Sequence, residues 1–292
     1  MAGLNWTIVQ TSSTILQFPG NGTGNLVSLF DDPLDSGLPF VLPQTEAVQA
    51  QWQPALQGHR ILLPDGEIFY GERFFDRKTS DRCLAYFQEN DAVDWQSLRW
   101  KERLAAGLDG IEFHHIRWKQ DHIRFYGRTI PLPRLTAFYG DGSRDYEYSG
   151  IRSQAHAWNP GLLNLKERIE AAFGARFNSV LLNWYRGGAD SMSWHSDDER
   201  ELGRNPCIAS VTFGETRDFF LRHKRDRSLK LVFPLKHGSL LLMSGALQHH
   251  WEHSVPKRSR CDGSRFNLTF RFIHDAPSSA TGAVDAVRSD GN

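Results

Sequence analysis

Cysteine is scarce: the 292 residues hold three, Cys83, Cys207 and Cys261, an odd number with no C-x-x-C spacing. That excludes a disulfide framework and a thiolate zinc site. Long hydrophobic runs are missing too, and the first twenty residues have neither the basic start nor the continuous apolar segment of a secretory signal. A soluble, intracellular protein without membrane contact is expected, cytoplasmic and nucleoid-associated in a bacterium, nuclear in a eukaryote. Nor is there an excess of either charge, since 34 Lys and Arg balance 34 Asp and Glu. Whole-surface attraction to nucleic acid is excluded; a local basic stripe is not. Candidate stripes are Arg222 to Arg227 with Lys230, Lys257 to Arg260, and the surroundings of Arg124, Arg128 and Arg134. Each stripe alone is equally a solvated loop.

Hydrophobic residues at 40% suffice for a sizeable core. Residues 1–55 are Gly-, Ser-, Pro- and Gln-rich, which predicts a variable, partly disordered extension with a short helix from Thr45 to about Leu56. Pro64-Asp65-Gly66 marks a turn between two apolar runs. A helix is expected from Ser80 through Phe87, and another after the cap Asn159, with Pro160 at its first position, apolar residues from Leu162 to Ile169, and Gly174 as its stop. From there period two takes over, giving eight strands: Ser179–Tyr185, Ser193–Asp197, Ile208–Phe213, Arg217–Arg222, Leu229–Phe233, Ser239–Met243, Trp251–Val255 and Arg265–Phe272. This pattern predicts an α+β protein whose double-sheet, jelly-roll core spans about 176–274, with helices packed on the outer face of the major sheet. Residues 275–292 read as a disordered tail.

His195 and Asp197 form an H-x-D pair, and on a strand residues two apart share a side. An imidazole and a carboxylate thereby converge; one more histidine would complete the two-His-one-carboxylate set that holds iron(II) and leaves positions open. Gln248-His249-His250-Trp251-Glu252-His253 offers three histidines, and spacing does not choose among them. In the last strand Arg265, Asn267, Thr269 and Arg271 share one side, opposite Phe266, Leu268 and Phe270. Asn183 and Tyr185 likewise share a side, opposite Leu182 and Trp184. Both strands would offer polar groups to one cavity, with guanidinium groups suited to a carboxylate.

Asn183-x-Tyr185, His195-x-Asp197-Asp198-Glu199, Trp251-x-His253-x-x-Pro256 and Arg265-Phe-Asn267-Leu-Thr-Phe-Arg271 together resemble the AlkB family of iron(II)- and 2-oxoglutarate-dependent dioxygenases, in its nucleic-acid-repair branch, animal homologues 2 and 3. The resemblance extends over roughly residues 60–274 and includes Pro133-Arg134-Leu-Thr-Ala-Phe-Tyr139-Gly140. It implies His195, Asp197 and His253 as iron ligands; Arg265, Asn183, Tyr185, Asn267 and Arg271 around 2-oxoglutarate; and dioxygen as the other cosubstrate. It further implies a nucleotide-recognition lid over about 110–150, with Arg134 and Tyr139 in it, Tyr139 stacking on an extruded base, and Asp198 and Glu199 beside that base. Arg124-Phe125-Tyr126-Gly127-Arg128 resembles a hairpin that inserts an aromatic finger, here Tyr126, into duplex DNA. The implied activity is oxidative removal of methyl groups from 1-methyladenine or 3-methylcytosine in DNA or RNA by a monomer. The competing readings are an RNA or protein demethylase or hydroxylase of the same chemistry, a zinc hydrolase with Glu199 as general base, and a non-catalytic binder of methylated nucleic acid.

Overall fold

The computed structural model describes residues 37–274 apart from 109, 126, 143–144 and 149–150. Most of the expected N-terminal extension, the tail after 274, and Tyr126 lie outside the described residues. Period-two patterning dominates the rest. In chain order the strands are β1 (Gln49–Gln53), β2 (Gly58–Leu63), β3 (Gly66–Gly71), β4 (His122–Phe125), β5 (Arg128–Pro131), β6 (Leu135–Gly140), β7 (Asp145–Tyr148), β8 (Ile151–Gln154), β9 (Ser179–Tyr185), β10 (Met192–His195), β11 (Ile208–Gly214), β12 (Arg217–His223), β13 (Lys230–Leu235), β14 (Ser239–Ser244), β15 (Trp251–Val255) and β16 (Arg265–Arg271). The helices are α1 (Arg77–Gln88), α2 (Trp100–Ala105), α3 (Pro160–Phe173) and the single turn α4 (Leu247–His250).

Eight strands form the major sheet in the order β1-β2-β3-β14-β11-β16-β9-β6, and four form the minor sheet, β10-β15-β12-β13; β4-β5 and β7-β8 are separate hairpins. Among the described residues every pairing of named strands is antiparallel. Alternation divides the side chains of the major sheet between two apolar layers. Val180, Leu182, Trp184, Phe213, Phe266, Leu268 and Phe270 meet Phe87 of α1 and Leu162, Leu165, Ile169 and Phe173 of α3 on its outer face. Ile61, Ile68, Tyr70, Leu241 and Met243 meet Phe219, Leu231, Phe233 and Trp251 of the minor sheet on its inner face. Helices therefore cover the outside of the major sheet and the minor sheet covers its inside, consistent with the jelly-roll core. No helix among the described residues is long and apolar enough to cross a membrane.

The α3 signals hold. Asn159 accepts the Leu162 N–H at 2.9 Å, Pro160 opens the helix, and Gly174 ends it at φ 65°. The expected helix over Thr45–Leu56 does not form. Gln49-Ala50-Gln51-Trp52-Gln53 alternates with period two, pairs as β1 with β2, and stops at the 3-10 turn Pro54–Leu56. A segment assigned to the extension thus belongs to the sheet, and Phe40 and Leu42 pack on the inner core. The first long helix starts earlier than expected, because Asp76 is its cap, accepting the Thr79 N–H at 2.8 Å; Ser80 is buried inside it and donates to the Phe75 carbonyl.

Candidate metal and cosubstrate site

The H-x-D strand ends at His195, so Asp197 lies in coil beyond it. Period two is therefore not what brings Asp197 to the site. Its carboxylate is held by Arg271, whose Nη2 donates to Oδ2 at 2.7 Å, and its main-chain N–H donates to Gln248 Oε1 at 3.0 Å. His195 sits opposite His253 in the β10–β15 register. The two imidazole centroids are 4.1 Å apart, and His195 Nε2 lies 3.9 Å from Asp197 Oδ1. One ligand atom from each of His195, Asp197 and His253 lies within 4.8 Å of the others.

The donor chemistry of this trio fits a divalent transition metal. His195 Nδ1 faces the Ser193 carbonyl at 2.8 Å, so Nδ1 carries the hydrogen and Nε2 keeps its lone pair toward the trio. Asp197 Oδ1 and His253 Nδ1 are buried without a hydrogen-bond partner. Burial is the main reason the His195 and His253 imidazoles stay neutral, and His253, beside His195, is pulled down to about 3. Burial alone would raise the Asp197 carboxyl, but Arg271 and the two histidines outweigh it and hold it at about 2. Neutral imidazoles beside an ionised carboxylate are the ligand forms a metal requires.

The other two histidines of the cluster point elsewhere. His249 Nε2 contacts the Arg204 carbonyl. His250 joins His223 around Asp65, with His250 Nδ1 and His223 Nε2 each 3.6 Å from Oδ2. That second His-His-Asp group does not fit a metal. His223 Nδ1 accepts the Asp226 main-chain N–H at 2.9 Å, which puts the ring hydrogen on Nε2, the atom that would have to ligate.

Strand parity delivers the remaining wall. The cavity that holds the trio is also lined by Asn183 and Tyr185 of β9, Ser210 of β11, Met243 of β14, and Arg265, Asn267, Thr269 and Arg271 of β16. Arg265 is 1% exposed; Nη2 donates to Thr212 Oγ1 at 3.0 Å, while Nε and Nη1 are buried without partners. Its guanidinium lies 5.1 Å from the Tyr185 ring centroid. Burial lowers it to about 10, which still leaves it charged at neutral pH. Among the described residues no carboxylate forms an ion pair with Arg265, so a cation stands buried and uncompensated beside a candidate metal centre. Tyr185 offsets part of its burial, and a bound carboxylate would supply the missing charge partner.

Several expected roles shift. Asn267 donates its Nδ2 hydrogens to Ser210 Oγ and the Val211 carbonyl and accepts the Thr269 hydroxyl on Oδ1, so both of its donors are committed to the scaffold of the cavity it lines. Arg134 is 4% exposed and donates from Nε to Asn183 Oδ1 at 2.8 Å, which leaves the Asn183 NH₂ for a ligand and places Arg134 behind the cosubstrate wall. Tyr139 is core: it belongs to the helix-side apolar layer, and its hydroxyl accepts from Arg117 N and donates to the His115 carbonyl. From there it has no free face for an extruded base. Asp198 is exposed and paired with Lys224 at 3.2 Å, so its charge is already met. Glu199 Oε2 is buried without a partner, and burial, reinforced by Asp197, raises this carboxyl to about 7. Arg128 is exposed on the β4–β5 hairpin.

Sequence reasoning missed Ser210, Thr212, Gln248 and Arg217. Parity along Ile208-Ala-Ser-Val-Thr-Phe would have found the first two. Arg217, 1% exposed, gathers the carbonyls of Gly187, Asp190 and Pro256. No local signal marks that role.

The model of the family described as the 2OG-Fe(II) oxygenase superfamily matches residues 95–271. The chain is 40% identical over 186 residues to DNA oxidative demethylase ALKBH2 of Arabidopsis thaliana, covering 54% of this chain and 59% of that protein. It is 43% identical over 180 residues to alpha-ketoglutarate-dependent dioxygenase alkB homolog 3 of Rattus norvegicus, covering 59% of this chain and 60% of the relative. The human alkB homolog 3 is 44% identical over 174 residues, with 56% and 60% covered. The match therefore spans less than two thirds of the length of these relatives. With a two-His-one-carboxylate trio whose Asp197 and His253 are buried, an arginine without an ion-pair partner in the same cavity, and a family match across more than half of its length, the chain belongs to the 2OG-Fe(II) oxygenase superfamily.

Proposed function

We propose that this protein is an iron(II)- and 2-oxoglutarate-dependent demethylase of N-alkylated bases in DNA, with RNA as the second substrate class. The observation that carries the reading is Arg265, a buried guanidinium with two unpartnered nitrogen positions in the same cavity as the His195–Asp197–His253 trio. A zinc hydrolase has no use for that cation, whereas a dicarboxylic cosubstrate neutralises it bidentately. The names of the relatives, DNA oxidative demethylase and alpha-ketoglutarate-dependent dioxygenase, favour the same chemistry.

In this reading His195 Nε2, Asp197 Oδ1 and His253 hold the metal. Arg271 fixes the second Asp197 oxygen, so one carboxylate oxygen is presented to the metal and the other is occupied. Arg265 binds the distal carboxylate of 2-oxoglutarate, and the Asn183 NH₂ and the Tyr185 hydroxyl orient its body. Iron(II), when held by these three residues, would supply dioxygen activation coupled to the decarboxylation of 2-oxoglutarate to succinate and CO₂. On the substrate, one oxygen atom enters an N-methyl C–H bond of 1-methyladenine or 3-methylcytosine. The resulting hemiaminal then breaks its C–N bond and releases formaldehyde and the unmodified base. No side-chain nucleophile takes part.

Glu199, whose carboxyl is raised to about 7, favours a cationic methylated base over a neutral one in its ionised form. The β4–β5 and β7–β8 hairpins serve as the nucleotide-recognition lid, with exposed Arg128 available to phosphate. The test is incubation with a 1-methyladenine or 3-methylcytosine oligonucleotide, as single strand, duplex and RNA, with iron(II) and 2-oxoglutarate. Formaldehyde release and restored base are expected, and neither with His195→Ala. Absence of both from every substrate overturns the proposal.

A further inference from the structure

Asp197 is the ligand that secondary structure does not hold. Strand β10 ends two residues before it, and the β10–β15 register is irregular between Met192 and His195. Asp197 is 1% exposed, so its main-chain N–H has no water to bond and needs an internal acceptor. That acceptor is a side chain, Gln248, itself 1% exposed. The orientation of its amide is forced: Oε1 must face the Asp197 N–H, and Nε2 then reaches Met243 Sδ at 3.4 Å.

The neighbours of Asp197 are tied to the same turn. Ser196 Oγ donates to the Trp251 carbonyl at 2.9 Å. Lys224 Nζ bridges Asp198 Oδ2 at 3.2 Å and the Gln248 carbonyl at 3.0 Å. Three successive residues are thus fastened to α4 and the first residue of β15, the strand that carries His253 two positions on. Only the middle link reaches a ligand residue itself, and only it is fully buried.

We infer that Gln248 is a positioning residue for the metal centre, fixing Asp197 relative to His253 through the Asp197 main chain where strand pairing gives out. The inference rests on the metal-centre reading of the trio. A partner one shell out from a metal commonly contributes about 10–100-fold in metal affinity.

The test uses metal-free full chain, with Co(II) affinity by calorimetry and hydrogen exchange at the Asp197 amide as readouts. Gln248→Leu, of similar volume but without an acceptor, is expected to weaken Co(II) binding by about 10–100-fold and to speed exchange at Asp197. Gln248→Glu keeps an acceptor oxygen and is expected to retain both the affinity and the slow exchange, a rescue that lost packing alone would not give. If the Leu variant does not fold, Gln248→Met replaces it. A folded Leu or Met variant that binds Co(II) as the parent does overturns the inference, and so does a Glu variant that loses as much as Leu. The control separates the two readings. A parent that binds no Co(II), like Asp197→Ala, overturns the metal centre and this inference together; a binding parent matched by Gln248→Leu overturns this inference alone.

Discussion

Arg265 carries an unusual combination, full burial with two unpartnered nitrogens. Its replacement should therefore separate stability from function. Arg265→Met removes an uncompensated buried cation, so the midpoint of thermal unfolding of the ligand-free protein should rise. The same change deletes charge-assisted hydrogen bonds worth ~1.5–3 kcal/mol, so the KM for 2-oxoglutarate should increase roughly 10–150-fold. Steady-state kinetics and thermal denaturation check both; an unchanged KM removes Arg265 from the cosubstrate site. At this scale the sequence was informative wherever parity decides direction. Asn183, Tyr185, Arg265 and Arg271 all face the cavity as the alternation of their strands requires. It was silent where a distant residue decides. Asn267 looked free until Ser210 and Val211 took its amide, Asp198 until Lys224 met its charge, and Tyr139 until the chain near His115 and Arg117 closed over its hydroxyl.

Among the elements, α3 was legible because its start and stop are local chemistry, a side-chain cap, a proline and a left-handed glycine. Asn159→Ala should lower stability by ~1 kcal/mol in denaturant titration, with an unchanged slope; no loss would mean that the cap is idle. Strand β1 was misread because glutamine is a tolerable helix former, and the alternation in its five residues becomes decisive only once β2 offers an edge to pair with. The loop after β9 is the less forgiving element. Gly188 exchanges main-chain hydrogen bonds with Arg258 and Cys261 at 2.8 Å, and a Cβ there would overlap the Arg258 carbonyl oxygen. Gly188→Ala should cost about 1–3 kcal/mol through backbone displacement. Because this loop leads from Tyr185 toward His195, the 2-oxoglutarate KM should rise with it. A variant as stable as the parent would show that the 258–261 segment yields freely.

For the molecule as a whole, the site links stability to pH and to metal. An unfolded chain protonates His253 near the ordinary value of about 6.5, whereas the folded, metal-free protein holds it neutral down to about 3. The unfolded state therefore binds more protons in that window. Stability contributed by the neutral imidazole is complete above the ordinary value and declines as pH falls toward the folded one. Chemical denaturation of metal-free protein between those limits should show the midpoint falling with pH, and His253→Leu should flatten that slope. Added Co(II) should raise the melting temperature in proportion to the logarithm of its free concentration, and a chelator should reverse it.

The order of the major sheet has a consequence for the chain as it is made. Strand β3 ends at Gly71, yet its neighbour β14 begins at Ser239, and β9 waits for β16 at Arg265. At ribosomal speeds of about 5–20 residues per second, the β2–β3 hairpin stands for on the order of 10–30 s with one edge bare and Ile68, Phe69 and Tyr70 uncovered. Native closure cannot proceed vectorially from the first strand to the last; it has to wait until the C-terminal strands emerge. Chains stalled before Ser239 should be captured by holdase chaperones and resist refolding, while those released past Arg271 should escape. Biogenesis of this protein is thus paced by the distance along the chain between its first hairpin and the strands that shelter it.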